Sequence, residues 1–414
     1  MKLHTLYLSL LLAATTSAHA MEFSDAELAR ASALQKRLVT LDSHLDTPAN
    51  LERGDFDVMQ GHAGNRLSQV DYPRMLEGAL DGGFWAVYTG QGNRSAAAHL
   101  DDRDAGLQRL MKIHNLLAAQ PQRFALATTP ADAARIKAAG KRVVYISMEN
   151  ASPLVADPSL LRFYYAQGLR LMSTVHFLNN EFADSATDPK GAEWKGLSPA
   201  GKQLVQQALG IVIDQSHASD AVFDQLIALS PVPIVLSHSG ARAVYNHPRN
   251  IDDARLKVLA AHGGVIQVNS YGGYLIDSGA SPERKAAEKA LADQYGGWEH
   301  LKMSDGTALS EALKALDARY PVKRATEEDF FAHLEHVLAV AGPAHVGIGM
   351  DWDGGGGVVG LEDVSDLPRI TAWLLRKGYS EPQIAGIWGG NLLRVMEQAQ
   401  AYAAGNRESG VGNR

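Results

Sequence analysis

Five segments of the chain each bring a β-like apolar run to a metal-ligand side chain, and the stretches between them read as helices. In order they are LDSHLD (41–46), VVYISME (143–149), LMSTVH (171–176), IVIDQSH (211–217) and PIVLSHS (233–239). They deliver His44 and Asp46, then Glu149, His176, His217 and His238. A single histidine at such a place signifies little, because satisfied histidines sit in ordinary cores. Five endings in succession imply strands whose carboxyl ends converge on one metal-bearing site.

The alternation continues beyond these segments. Strands are expected at 38–44, 82–89, 142–148, 168–175, 209–216, 232–237, 263–270 and 345–350. Helices are expected at 102–119, 130–139, 158–167, 199–208, 219–229 and 252–262. Strands alternating with helices make parallel βαβ units, and eight of them predict a closed (β/α)8 TIM barrel. A doubly wound open sheet is the rival, but no glycine-rich dinucleotide turn follows the first strand. The span 275–325 interrupts the rhythm with two charged helical stretches, SPERKAAEKALADQY and LSEALKALDARY. It is too long for a plain connection and reads as an insertion over the active-site face or an oligomer contact. Thr326 and Asp329 then form a capping-box-like start for EEDFFAHLEHVLAVAG. A single domain over 21–404 with a polar tail at 405–414 is the simplest division.

Composition narrows the chemistry. The chain has no cysteine, so thiol catalysis, disulfides and thiolate metal sites are excluded, and any metal must take nitrogen and oxygen ligands. A formal charge of −7 without a basic stripe argues against a nucleic-acid partner. Residues 1–20 carry Lys2, an apolar run from Leu6 to Ala14 and the small-x-small pattern Ala18-His19-Ala20, which predicts a cleaved secretory signal. The apolar run falls short of the roughly 20 residues a membrane span needs. The mature protein is therefore expected to be soluble, exported to a bacterial periplasm and free of a membrane anchor.

His44 and Asp46, two apart on extended chain, can clasp one ion together. Glu149 can add a third ligand and bridge to a second ion, and His217 and His238 can complete that second site. This donor set suits Zn²⁺, with Mn²⁺ or Co²⁺ as alternatives. Two metals about 3.5–4 Å apart would clamp a bridging water and yield a hydroxide nucleophile near neutral pH. The eighth strand run, HVGIGMDWDGGGG (345–357), ends at Asp351, placed to take and return the proton of that water. Asp353 beside it reads as structural. The four glycines lack the lysine and helix of a phosphate loop, and instead let a loop pass close to substrate. His62, His99, His114, His247, His262, His300, His333, His336 and His345 lack such context and read as surface or packing residues.

The motifs DSHLDTP (42–48), ISMENAS (146–152), STVHFLNNEFADS (173–185), GMDWDG (349–354), GLEDVSDLP (360–368) and GNLLRV (390–395), with the His217 and His238 strand ends, together resemble the membrane (renal) dipeptidase family. The likeness runs from about residue 38 to 400. It implies a (β/α)8 metal-dependent, amidohydrolase-like hydrolase that cleaves dipeptides, commonly as a dimer. It implies one zinc held by His44, Asp46 and Glu149, and another held by Glu149, His217 and His238. His176 would stabilise the oxyanion and contact substrate, Arg249 in HPRNIDD would pair with the substrate carboxylate, and Asp351 would shuttle the proton. Some members accept a D-residue at the carboxyl end, so L,L and L,D dipeptides both come into view. The span 275–325 is longer than in the mammalian enzymes, and the missing cysteines exclude a disulfide between subunits.

Two other readings compete. A lactone, cyclic-amide or phosphotriester hydrolase of the same superfamily would show HxH on the first strand and a modified lysine ending the fourth, where this chain has HxD and His176. A non-catalytic metal-dependent binding protein would keep the ligands and have no use for Asp351.

Overall fold

The computed structural model describes residues 21–208, 210–297 and 306–408. The secretory-signal expectation over residues 1–20, His300 and the last six residues of the tail lie outside these.

Among the described residues, nine parallel strands form one sheet: β1 (Leu41–Leu45), β2 (Gly82–Tyr88), β3 (Phe124–Leu126), β4 (Arg142–Glu149), β5 (Leu169–Ser173), β6 (Val212–Asp214), β7 (Val235–Ser239), β8 (Val265–Val268) and β9 (Val346–Ile348). Eight follow one another in the order β1-β2-β4-β5-β6-β7-β8-β9. The ring closes where Leu45 bridges Trp352 and the Asp46 N–H donates to the Trp352 carbonyl at 2.9 Å. The expected (β/α)8 barrel is therefore what the chain forms.

The ninth strand was not anticipated. Phe124–Leu126 pairs the first half of β4, below the point where β5 joins at Ile146. Three residues are too few to display a period of two. Several expected strands are also shorter than their apolar runs, two of them at ligand-bearing ends. The runs at 168–175 and 209–216 form ladder only over Leu169–Ser173 and Val212–Asp214, so His176 and His217 stand in the loops just beyond their strands.

Alternation sorts the strand side chains into two cores. Leu41, Phe84, Val143, Tyr145, Leu171, Val212, Val235 and Val265 point into the barrel and pack together. Strand β9 contributes Gly347 inward, where a Cβ would meet Gln267 Oε1 at 1.8 Å. Leu392, Val395, Met396 and Ala399 of helix Asn391–Glu408 join this cluster, so the helix lies across the amino-terminal mouth. Trp85, Ile146, Met172, Ile213, Leu236, Ile266 and Ile348 point outward into the layer beneath the helices. Each such side chain contributes about 1.5–3 kcal/mol through burial.

The helices begin where the sequence supplies caps. Ser95, Ser198, Ser219 and Asp252 accept from the backbone three residues on, opening helices Ala96–Ala119, Pro199–Gln207, Asp220–Leu229 and Asp253–Ala261. Thr326 and Asp329 make the reciprocal box ahead of Glu327–Ala341. In the span 275–325, helices Pro282–Gln294 and Gly306–Arg319 are tied to each other by Arg284–Asp317 at 2.7 Å. They also dock on the loop after β1. The Thr307 N–H and hydroxyl both donate to Asp55, and the Arg66 N–H donates to Ser310 Oγ. That loop leaves the carboxyl end of its strand, so the two helices sit on the carboxyl-end face of the barrel.

Candidate metal centre

The ligand-bearing strand ends are bent to aim their side chains. Register shifts in β1 between Asp42 and Leu45, and in β7 between Leu236 and Ser239, insert bulges at His44 and His238. A bulge re-aims a side chain without ending the strand. Asp42 secures the first bulge, accepting from the His44 N–H at 2.9 Å and the Met350 N–H at 3.1 Å. Asp214 secures the second through the Ser237 N–H at 2.8 Å and the Ser216 N–H at 2.9 Å. His217 and Asp351 reach the site from left-handed backbone, with φ of 72° and 66°. Such conformations are disfavoured for residues with a Cβ and cluster at functional sites.

The five expected ligands converge on one buried point. Glu149 Oε2 lies 3.3 Å from His44 Nε2, which is also 3.3 Å from Asp46 Oδ2. The other oxygen, Oε1, lies 3.1 Å from His217 Nε2 and 3.4 Å from His238 Nε2. One carboxylate thus turns an oxygen toward each of two ligand groups, His44–Asp46–Glu149 and Glu149–His217–His238, both of metal-binding geometry. A third group of that geometry joins His44, His238 and Asp351.

The state of these donors fits a cation. His44 Nε2 and Asp46 Oδ1 are buried without a hydrogen-bond partner. His238 holds its Nδ1 against Ser237 Oγ at 2.8 Å, which leaves Nε2 as the lone-pair end facing the cluster. Burial, with Arg249 and His176 close by, pushes His217 well below the usual histidine range. Burial and His44 do the same to His238, which favours the neutral, lone-pair form of each ring. Against its own burial, Glu149 is held well below the carboxylate range by His44 and His176. The opposing pressure appears at His44, which Glu149 and Asp46 hold well above its usual range despite burial. The carboxylates call for positive charge between them, and nitrogen and oxygen donors without sulfur suit zinc or a similar divalent ion.

His176 stands beside the cluster and belongs to none of its ligand groups. Its Nε2 is 3.8 Å from Glu149 Oε1, and its ring centroid is 4.1 Å from that of His217. Its backbone is fixed from both sides: the N–H donates to Gln91 Oε1 at 3.1 Å, and the carbonyl accepts from Ser185 Oγ at 2.6 Å. Arg249 is 4% exposed, and no carboxylate among the described residues pairs with it. It donates to the His238 carbonyl at 3.1 Å, and its guanidinium carbon lies 5.0 Å from the Tyr274 ring centroid. A buried guanidinium without a counter-ion is costly and invites an anionic ligand.

Asp351 Oδ1 is 3.9 Å from His44 Nε2. Burial raises Asp351 well above the carboxylate range; Asp46 and Glu149 add to this, and His44 and Arg249 oppose it. The glycine run matters at Gly354, where a Cβ would lie 2.1 Å from Asp46 Oδ2 and 2.4 Å from Asp351 Oδ1. Any side chain there would intrude on both carboxylates. Asp353 turns away, accepting from Thr47 Oγ1 at 2.7 Å and the Gln69 N–H at 2.6 Å, which pins the loop.

Tyr274, Gln91, Asp42, Asp214 and Ser237 support the site and were not singled out by the sequence. Asp214 precedes His217 by three residues and Ser237 directly precedes His238, but a short polar side chain near a strand end carries no periodic signal. Of the other described histidines, His247 accepts from the Arg249 N–H at 3.2 Å, and His333 accepts from the Ala241 N–H in the loop after β7 at 3.0 Å.

A model of the membrane dipeptidase family (peptidase family M19) matches residues 28–410. Dipeptidase verJ of Clonostachys rogersoniana is 29% identical over 405 residues, covering 94% of this chain and 92% of that protein. Human dipeptidase 3 is 27% identical over 382 residues, covering 90% of this chain and 67% of its own. Among solved structures, the probable dipeptidase PvdM from Pseudomonas aeruginosa superposes with a TM-score of 0.77 at 28% identity, covering 92% of this chain and 100% of that one.

Proposed function

The chain belongs to the membrane dipeptidase family, peptidase family M19, and from that premise we propose that it hydrolyses dipeptides of L,L and L,D configuration at a pair of zinc ions bridged by Glu149. It is a metal-dependent dipeptidase. The observation that carries the two-metal reading is the division of the Glu149 oxygens, Oε2 toward His44 and Oε1 toward His217 and His238.

His44, Asp46 and Glu149 would hold one ion, and Glu149, His217 and His238 the other. Zinc bound there supplies Lewis acidity and lowers the pKa of a coordinated water from 15.7 toward about 7. Arg249 takes the carboxylate of the carboxyl-terminal residue in its planar fork, and this limits substrates to two residues. His176 donates to the oxygen of the scissile carbonyl as negative charge gathers there. Asp351 takes a proton from the attacking water and returns it to the leaving amine nitrogen, so the carboxylate ends each cycle as it began. The closed ring of strands, with Gly354 packed against Asp46 and Asp351, keeps these groups at fixed separations.

Hydrolysis of a panel of L,L and L,D dipeptides by the zinc-loaded protein tests this reading. Cleavage of a subset by free-carboxylate selection supports it. Tightly bound metal with no cleavage anywhere in the panel overturns it. A narrower expectation concerns Arg249→Ala, which should raise KM for dipeptides by about tenfold to 100-fold while changing kcat much less. An equal effect on substrates with a blocked carboxyl terminus would contradict the assigned partner.

Export to a periplasm is proposed from the charged, apolar and small-residue pattern of residues 1–20. No helix among the described residues is long and apolar enough to cross a membrane. Pairing of two chains is proposed on the family likeness, and with no cysteine it would rest on non-covalent contacts.

A further inference from the structure

Asn269 has no part in the ligand groups or in the substrate contacts assigned above. It follows β8 directly and is fully buried, and neither Oδ1 nor Nδ2 has a hydrogen-bond partner. Buried polar side chains are rarely left so, and an amide with both ends open asks what it is kept for.

Its direction follows from the strand. Val265 belongs to the cluster inside the barrel, and Gln267 lies against Gly347 and Gly349. Alternation carries Asn269 to the same inner face, two residues nearer the carboxyl end. The ladder persists there, with the Asn269 N–H donating to the Ser239 carbonyl at 3.1 Å and the Ser270 N–H to the Met350 carbonyl at 3.4 Å. Asn269 therefore faces the chamber between the ends of β7 and β9, which carry His238 and Asp351. Its ladder partner Ser239 is also the residue whose Oγ lies 3.5 Å from Arg249 Nη1, and Arg249 Nε is itself buried without a partner. Open donors from a guanidinium and an amide thus occupy neighbouring positions on one side of the chamber.

We propose that Asn269 is a second recognition residue for the carboxyl-terminal residue of the substrate, beside Arg249. Its Nδ2 donates to the carboxylate and its Oδ1 accepts from the scissile N–H. A primary amide presents a donor and an acceptor side by side, which matches the N–H and carboxylate of a single α-residue. This rests on the dipeptidase reading, and the experiment separates the two.

Zinc-loaded wild type, Asn269→Ala, Asn269→Asp and Arg249→Ala are compared on one free-acid dipeptide, with the corresponding dipeptide amide as a competing ligand. Asn269→Ala should raise KM for the free acid by about tenfold and change the Ki of the amide by less than about threefold. Asn269→Asp keeps the size of the side chain and should raise KM further, because two carboxylates would face each other; it decides the question if the alanine variant does not fold. Equal shifts for acid and amide, or no shift in KM, would overturn the inference. A wild type that cleaves no dipeptide defeats the dipeptidase reading instead. Selectivity lost in Arg249→Ala but kept in both Asn269 variants defeats the Asn269 assignment alone.

Discussion

Glu149→Gln is expected to lower kcat/KM by about 10³-fold or more and to empty both metal positions together. The carboxylate lies in two candidate ligand groups at once, with Oε2 3.3 Å from His44 Nε2 and Oε1 3.1 Å from His217 Nε2. A glutamine of the same shape offers one oxygen and one NH2. Whichever way it turns, one group loses its oxygen donor and gains two hydrogens where a cation should sit. The amide also carries no charge, so the attraction that holds His44 above and Glu149 below their usual ranges weakens for both groups. Metal content and dipeptide turnover should fall in parallel. Loss of one metal with the other retained would count against the bridge.

Asp351→Asn should lower kcat by about 10²–10⁴-fold, the usual contribution of a positioned acid–base group. Metal content should hold, with KM changing little. Asparagine keeps the size of the aspartate but cannot accept and return a proton. The measurement also decides between two uses of the residue, since Asp351 shares ligand geometry with His44 and His238. If Asp351 is a third ligand instead of a proton carrier, the variant loses metal along with activity. Its Oδ1 is 3.9 Å from His44 Nε2, against 3.3 Å for Asp46 Oδ2, which favours the proton-carrying role.

The barrel and the clustering of the candidate ligands were legible because both write a repeated pattern. Strand and helix periods alternate along the chain, and His44, Glu149, His217 and His238 each follow an apolar run. The structure brings these residues together with Asp46 in two groups, and it puts Arg249 and His176 at their edge. What stayed hidden has no period. Phe124–Leu126 is too short to alternate visibly, and the bulges that turn His44 and His238 inward depend on pairing across strands. The left-handed backbone of His217 and Asp351 runs against local preference and is held by the surrounding fold. Tyr274 meets Arg249 only through the fold, so it does not announce itself from its own segment.

The most direct test is zinc add-back to chelator-stripped protein, with hydrolysis of a dipeptide followed at each addition. Turnover should be absent at the start and rise until about two equivalents per chain have bound. Full activity in the stripped protein, or a plateau after one equivalent, would contradict a dipeptidase that works through two metals bridged by Glu149.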